Sequence, residues 1–114
     1  MSPTERFLAY LRCYAAKDLD NVAAMFADDI VLRDWNQRVC GRAAALAETR
    51  KNFDSVTSIA IEPLQIYENA RGVAGELRIV IDGSLELHVV DVIEFNEHRS
   101  ITAIRAYIGR GDGA

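Results

Sequence analysis

Residues 85–95 read LELHVVDVIEF, and the fold turns on how that run divides between two faces. Side chains alternate along a strand, so Leu87, Val89, Asp91, Ile93 and Phe95 share one side and Glu86, His88, Val90, Val92 and Glu94 the other. The first side is apolar except for Asp91. Its neighbours match it: 73–81, VAGELRIVI, offers Leu77, Ile79 and Ile81, and 101–108, ITAIRAYI, offers Ile104, Ala106 and Ile108. With 56–68, VTSIAIEPLQIYE, these are four β-rich runs separated by Asn69 to Gly72, by Asp82-Gly83 and by NEHRS, which is the signature of an antiparallel meander. The second side is not cleanly polar, because Val80, Val90, Val92 and Tyr107 interrupt its charges, and this half-apolar face is the expected contact of a homodimer.

Upstream the period changes. Ser2-Pro3-Thr4-Glu5 is a capping box with proline at the first helical position, and Phe7, Tyr10, Leu11 and Tyr14 follow at helical spacing, which predicts a helix over about 3–16. Asp18 caps a second helix whose stripe Leu19, Val22, Ala23 and Phe26 predicts an end near Asp28-Asp29. A strand IVLRDW, a polar turn at Asn36-Gln37, a brief VCG segment and an alanine-rich helix from about Arg42 to Phe53 complete this part. Helices followed by a meander make an α+β domain. One domain over 1–114 accounts for the whole length, with a flexible tail at 109–114.

A net charge of −4 gives no basic footprint for nucleic acid. No run approaches the roughly 18 apolar residues of a membrane span, and the start carries no cleavable apolar core, so the expectation is a cytoplasmic protein. Cys13 and Cys40 lack metal or redox spacing and read as reduced, packed thiols. His88 and His98 fall on the outward face and in a turn, the Arg110-Gly111-Asp112 triplet is a chance match to an adhesion tripeptide, and Arg42 reads as a structural pairing residue.

An apolar sheet face closed by helices encloses a greasy pocket, and its expected lining is Leu77, Ile79, Leu87, Val89, Ile104, Ala106 and Ile108. Three polar groups point into it from separate elements. Asp34 shares the side of Ile30 and Leu32, Asp91 lies mid-strand, and Tyr10 is on the inner stripe of the first helix. Each has a plainer reading: a turn carboxylate for Asp34, a buried salt bridge to Arg78 or Arg105 for Asp91, a core tyrosine with a wet hydroxyl for Tyr10.

The runs YLRCYAAKDLDNVAAMFADDIVLRD, CGR, LHVVDVIEFNEH and AIRAYI together resemble the ketosteroid isomerase branch of the nuclear-transport-factor-like (SnoaL-like) superfamily. The resemblance implies a cone-shaped fold with three N-terminal helices packed on a curved, mainly antiparallel sheet. It implies Tyr10, Asp34 and Asp91 as catalytic residues, with Asp34 the base that moves a proton next to a ketone and Tyr10 and protonated Asp91 the donors to the enolate oxygen. It also implies a small hydrophobic substrate and neither metal nor cofactor. Burial is expected to keep Asp91 neutral, while Asp34, beside a polar turn, stays ionised. The chain departs from the isomerases in carrying Phe26, Thr49 and Ile108 where supporting aromatic residues are common, and Trp35 in place of a proline after the base. The superfamily also contains polyketide cyclases, epoxide hydrolases, dehydratases and noncatalytic binding modules, which keeps cyclase and small-ligand-binding readings open beside the isomerase.

Overall fold

A computed structural model describes residues 1–112. The elements run α1 (Pro3–Ala15), α2 (Leu19–Met25), β1 (Phe26–Arg33), β2 (Arg38–Cys40), α3 (Arg42–Asp54), β3 (Ile59–Glu68), β4 (Gly72–Ile81), β5 (Leu85–Phe95) and β6 (Ile101–Ile108). The strands form one six-stranded sheet in the order β2-β1-β6-β5-β4-β3, an α+β architecture. Every pair is antiparallel except β1 with β6.

Local chemistry explains most of the boundaries. At the start of α1 the Ser2 hydroxyl accepts from the Glu5 N–H and the Glu5 carboxylate accepts from the Ser2 N–H, both at 3.0 Å, which satisfies two of the otherwise orphaned donors of the first turn. Asp18 caps α2 by accepting from the Asn21 N–H. The meander turns at Asp82 and Gly83, which take up φ of 54° and 73°, values that aspartate tolerates and glycine adopts without a Cβ clash. Strands β5 and β6 begin and end where their alternating patterns do.

The second helix is shorter than its spacing predicts. It stops at Met25, and Phe26 already pairs with Ile101 of β6. The helical stripe that included Phe26 loses to a ladder formed with a strand far along the chain, a tertiary override of local pattern. The Asp28-Asp29 pair therefore lies within β1, exposed, where the register slips between Phe26 and Val31. The cysteines also differ from expectation in part: Cys13 is half-buried, but Cys40 is exposed on the short edge strand β2, where packing cannot reach it; both are free thiols.

All three helices serve one core. Phe7, Tyr10 and Leu11 of α1, Val22 of α2, and Ala45 and Phe53 of α3 meet Val73, Leu77, Ile93, Ile101 and Ile104 of the sheet. Burial of each large side chain stabilises the fold by about 1.5–3 kcal/mol. Arg42 ties α3 to α2, its Nε and Nη2 donating to the Ala23 carbonyl at 3.2 and 2.9 Å. The tail expected over 109–114 lies in part outside the described residues. In its described part the Gly109 N–H donates to the His88 carbonyl at 2.7 Å, and Gly111 sits so close to the His88 ring that a Cβ there would come within 2.3 Å of it.

Candidate active site

Between the helices and the sheet is a cavity of about 260 Å³. That lies just below the roughly 300–1,000 Å³ of typical small-molecule sites, so an extended ligand would project through the mouth, where Trp35 is 46 % exposed. The walls differ in kind. The sheet side is aliphatic: Ile59 and Ile61 of β3, Ile79 and Ile81 of β4, Leu87 and Val89 of β5, Ile104 and Ala106 of β6. The helix side carries Tyr10 and Tyr14 of α1, Thr49 and Asn52 of α3 and Ser55 after it, and Asp34 and Asn36 line the cavity from the turn after β1. Asp91 interrupts the aliphatic side.

Asp91 sits in the middle of β5, paired across the sheet with Gly75 of β4 and Ala106 of β6, so its flanks are small and its carboxyl faces the cavity it lines. The salt bridge weighed for it does not form. Arg78 reaches Glu86 and Glu62, and Arg105 reaches Glu94 at 2.6 Å, all on the opposite face of the sheet. Among the described residues Asp91 has no ion pair and no hydrogen bond, and burial alone pushes its carboxyl from 3.8 up to about 7.

Tyr10 is 4 % exposed and its ring belongs to the core, while its hydroxyl end lines the cavity. Burial, then the neighbouring Tyr14 and Asp91, push its ionisation far above the ordinary tyrosine value. It is a donor at any physiological pH.

Asp34 is the turn carboxylate weighed for it. Its Oδ1 accepts from the Asn36 and Gln37 N–H groups at 2.8 and 3.0 Å, and its own N–H donates to the Gln37 carbonyl, closing the turn that follows β1. It nonetheless lines the cavity, and Oδ2 has no partner among the described residues. A carboxylate anchored through one oxygen presents the other in a fixed position.

The SnoaL-like domain family matches residues 7–104. This chain belongs to it. Similar folds occur in several solved structures. An NTF-2 like protein of unknown function from Burkholderia xenovorans LB400 has a TM-score of 0.81 at 18 % identity, covering 98 % of this chain and 86 % of that one. The epoxide hydrolase/cyclase-like enzyme SalBIII, with a role in pyran ring formation in the polyether salinomycin, has 0.81 at 21 %, covering 94 % and 90 %. A computationally designed binder of 17-OHP has 0.81 at 19 %, covering 94 % of each. None of the curated proteins compared is significantly similar.

This SnoaL-like domain brings Tyr10, Asp34 and Asp91 to one cavity, with Ile79, Leu87, Val89, Ile104 and Ala106 around them. Two residues expected there lie elsewhere: Leu77 is sealed in the core, and Ile108 is 45 % exposed at the end of β6. Strand parity assigns a face but not a depth along it. Tyr14 and Asn52, given no site role from the sequence, also stand in the wall, and Tyr14 is legible as the next turn of the Tyr10 face. Among the described residues no group of three or more His, Cys, Asp or Glu side chains is placed to hold a metal ion, and no helix is long and apolar enough to cross a membrane.

Proposed function

We propose that this domain is a cofactor-independent isomerase of the ketosteroid type, moving a proton along the carbon skeleton beside a ketone in a hydrophobic substrate. The observation that carries this reading is the unpaired, half-buried Asp91 carboxyl on an aliphatic wall, in the same cavity as the Tyr10 hydroxyl and the free oxygen of Asp34. Asp34 removes the proton from the carbon next to the carbonyl. The electron pair moves into a new C=C bond, and the carbonyl oxygen takes the charge. Tyr10 and protonated Asp91 hold that oxygen with two hydrogen bonds in a water-poor space, where such donors act most strongly. Asp34 then returns the proton two carbons further along, and the base is regenerated.

The test is an absorbance assay for the conjugated product from a β,γ-unsaturated ketosteroid. Wild type should turn over, Asp34→Asn should not, and Tyr10→Phe and Asp91→Leu should each lose about a hundredfold, the effect of one oxyanion donor. Asp91→Asn, which keeps a donor, should lose less. A wild type that binds a fluorescent phenol such as equilenin without isomerising the ketone would be a ligand-binding module, and the isomerase reading would fall.

We also propose that the outer sheet face joins two copies of this chain. Val90 at 37 % exposure and Tyr107 at 49 % keep apolar surface in water among paired charges, which supports the reading. Light scattering on wild type and Val90→Lys decides it: a monomeric wild type at micromolar concentration removes the dimer.

A further inference from the structure

The proton-transfer scheme uses one end of the helix wall and leaves Tyr14 and Asn52 without a task. Tyr14 follows Tyr10 by one helical turn, about 6 Å along the axis. Its ring is held from two sides, by Tyr10 at 5.9 Å between centroids and by the edge-on ring of Phe53 at 4.8 Å and 74°. From α3, the Asn52 amide donates to the Tyr14 hydroxyl oxygen at 3.4 Å, a long bond that orients more than it stabilises. A hydroxyl carries one hydrogen and two lone pairs, so an oxygen that is already accepting keeps its own hydrogen free to donate elsewhere. Burial raises the Tyr14 ionisation above its ordinary value despite the opposing pull of Asn52, and the hydrogen stays on.

Several other polar groups of the wall are already occupied. The Thr49 hydroxyl donates to the Ala45 carbonyl at 2.8 Å, the Ser55 hydroxyl to the Asn52 carbonyl at 2.8 Å, and Asp34 Oδ1 closes its turn. The Tyr14 hydroxyl and the rest of the Asn52 amide remain on the cavity wall, facing aliphatic side chains of the sheet. A purely hydrocarbon body lying there would strip water from both groups and return no hydrogen bond, at the cost of an unsatisfied buried donor.

We infer that Tyr14, oriented by Asn52, is a second recognition point of the cavity and selects ligands that carry a further oxygen near the one bound by Tyr10 and Asp91. This rests on the reading of Tyr10 and Asp91 as the carbonyl-oxygen site. The ligand it implies has one oxygenated edge against α1 and one hydrocarbon face against β3, β4 and β5. Tyr14 touches the ligand, and Asn52 is a positioning residue.

The experiment compares two fluorescent probes, a naphthol and the naphthalene diol with its second hydroxyl meta to the first, by titration into wild type, Tyr10→Phe, Tyr14→Phe and Asn52→Leu. Wild type should bind the diol about tenfold more tightly than the naphthol, the worth of one added neutral hydrogen bond. Tyr14→Phe should bring that ratio to about one with naphthol affinity nearly unchanged, Asn52→Leu should lower the ratio without abolishing binding, and Tyr10→Phe should weaken both probes alike. A wild-type ratio near one, or a ratio that survives Tyr14→Phe, overturns the inference. So does Tyr14→Phe weakening both probes equally, because that is a packing effect. Turnover of the ketosteroid plays no part in the readout, so isomerase activity and oxygen selectivity can fail independently.

Discussion

Gly75 stands directly opposite Asp91 in the β4–β5 ladder, and the space its missing side chain leaves is taken by the ring of Phe7, 2.4 Å from where a Cβ would lie. The pair links the sheet's carboxyl to the helix that carries the tyrosines, since Phe7 precedes Tyr10 by one turn on the inner face of α1. Gly75→Ala should therefore force the Phe7 ring and α1 outward. The expected cost is about 1–3 kcal/mol, typical of overpacking, measured as a lower denaturation midpoint with unchanged slope. It should also weaken equilenin binding, because Tyr10 moves with the helix. A variant as stable as wild type would show that α1 can shift freely over β4.

The turn that Asp34 closes and the base role proposed for it are separable by choice of substitution. Asp34→Asn keeps an oxygen for the Asn36 and Gln37 N–H groups and removes the base, so stability should stay within about 0.5 kcal/mol of wild type while ketosteroid turnover disappears. Asp34→Ala loses the turn as well and should cost about 1–2 kcal/mol in urea unfolding. Equal stability for the two would mean that the turn does not depend on this side chain.

Asp91 should make the fold less stable as pH rises. Its carboxyl is an ordinary acid near 3.8 when unfolded and titrates at about 7 when folded, so the folded state binds the extra proton between those values. Stability is fully present below about pH 4 as far as this group is concerned and is lost as pH rises through 7. Each tenfold in the constant is about 1.4 kcal/mol, so the loss approaches a ceiling of about 4 kcal/mol. Asp91→Asn, neutral throughout, should lack this slope. Unfolding midpoints of the two proteins from pH 4 to 9 give the comparison, and parallel curves would refute the buried acid.

Activity should carry the same signature. The value of kcat/KM, which reports the free enzyme, should fall above about pH 7 as Asp91 loses its proton, and the fall in kcat should come at higher pH because bound ketone dries the cavity. Initial rates across pH 5–9 for wild type and Asp91→Asn test this, with the alkaline fall absent from the variant. Its persistence there would assign the titration to another group.

What the sequence made legible follows from the range of the forces involved. The capping box of α1 and the alternation of β5 and β6 are local, and each was readable within a few residues. The end of α2 was not, because Phe26 satisfies a helical stripe and a β ladder equally well until Ile101 is beside it. The parallel seam between β1 and β6 leaves no local mark at all. For the site, parity placed Asp91 on the inner face, but only the committed partners of Arg78 and Arg105 show that no cation neutralises it. Tyr14 was visible as a helical neighbour of Tyr10, whereas Asn52 sits on an alanine-rich helix with no clean apolar stripe and gives no signal before α3 packs against α1.

The seam between β1 and β6 also bears on how the acid acquires its proton. Strands β3 to β6 are consecutive hairpins that can close early, while β1 and the helices reach them only through contacts distant in sequence, which form late. In a bare meander the Asp91 carboxyl would still face water and remain ionised at pH 6. Docking of α1 then removes that water, and the chain must draw one proton from solution at that moment. Folding of this domain should thus take up a proton near pH 6, and a pH indicator in weak buffer would time the closing of the cavity.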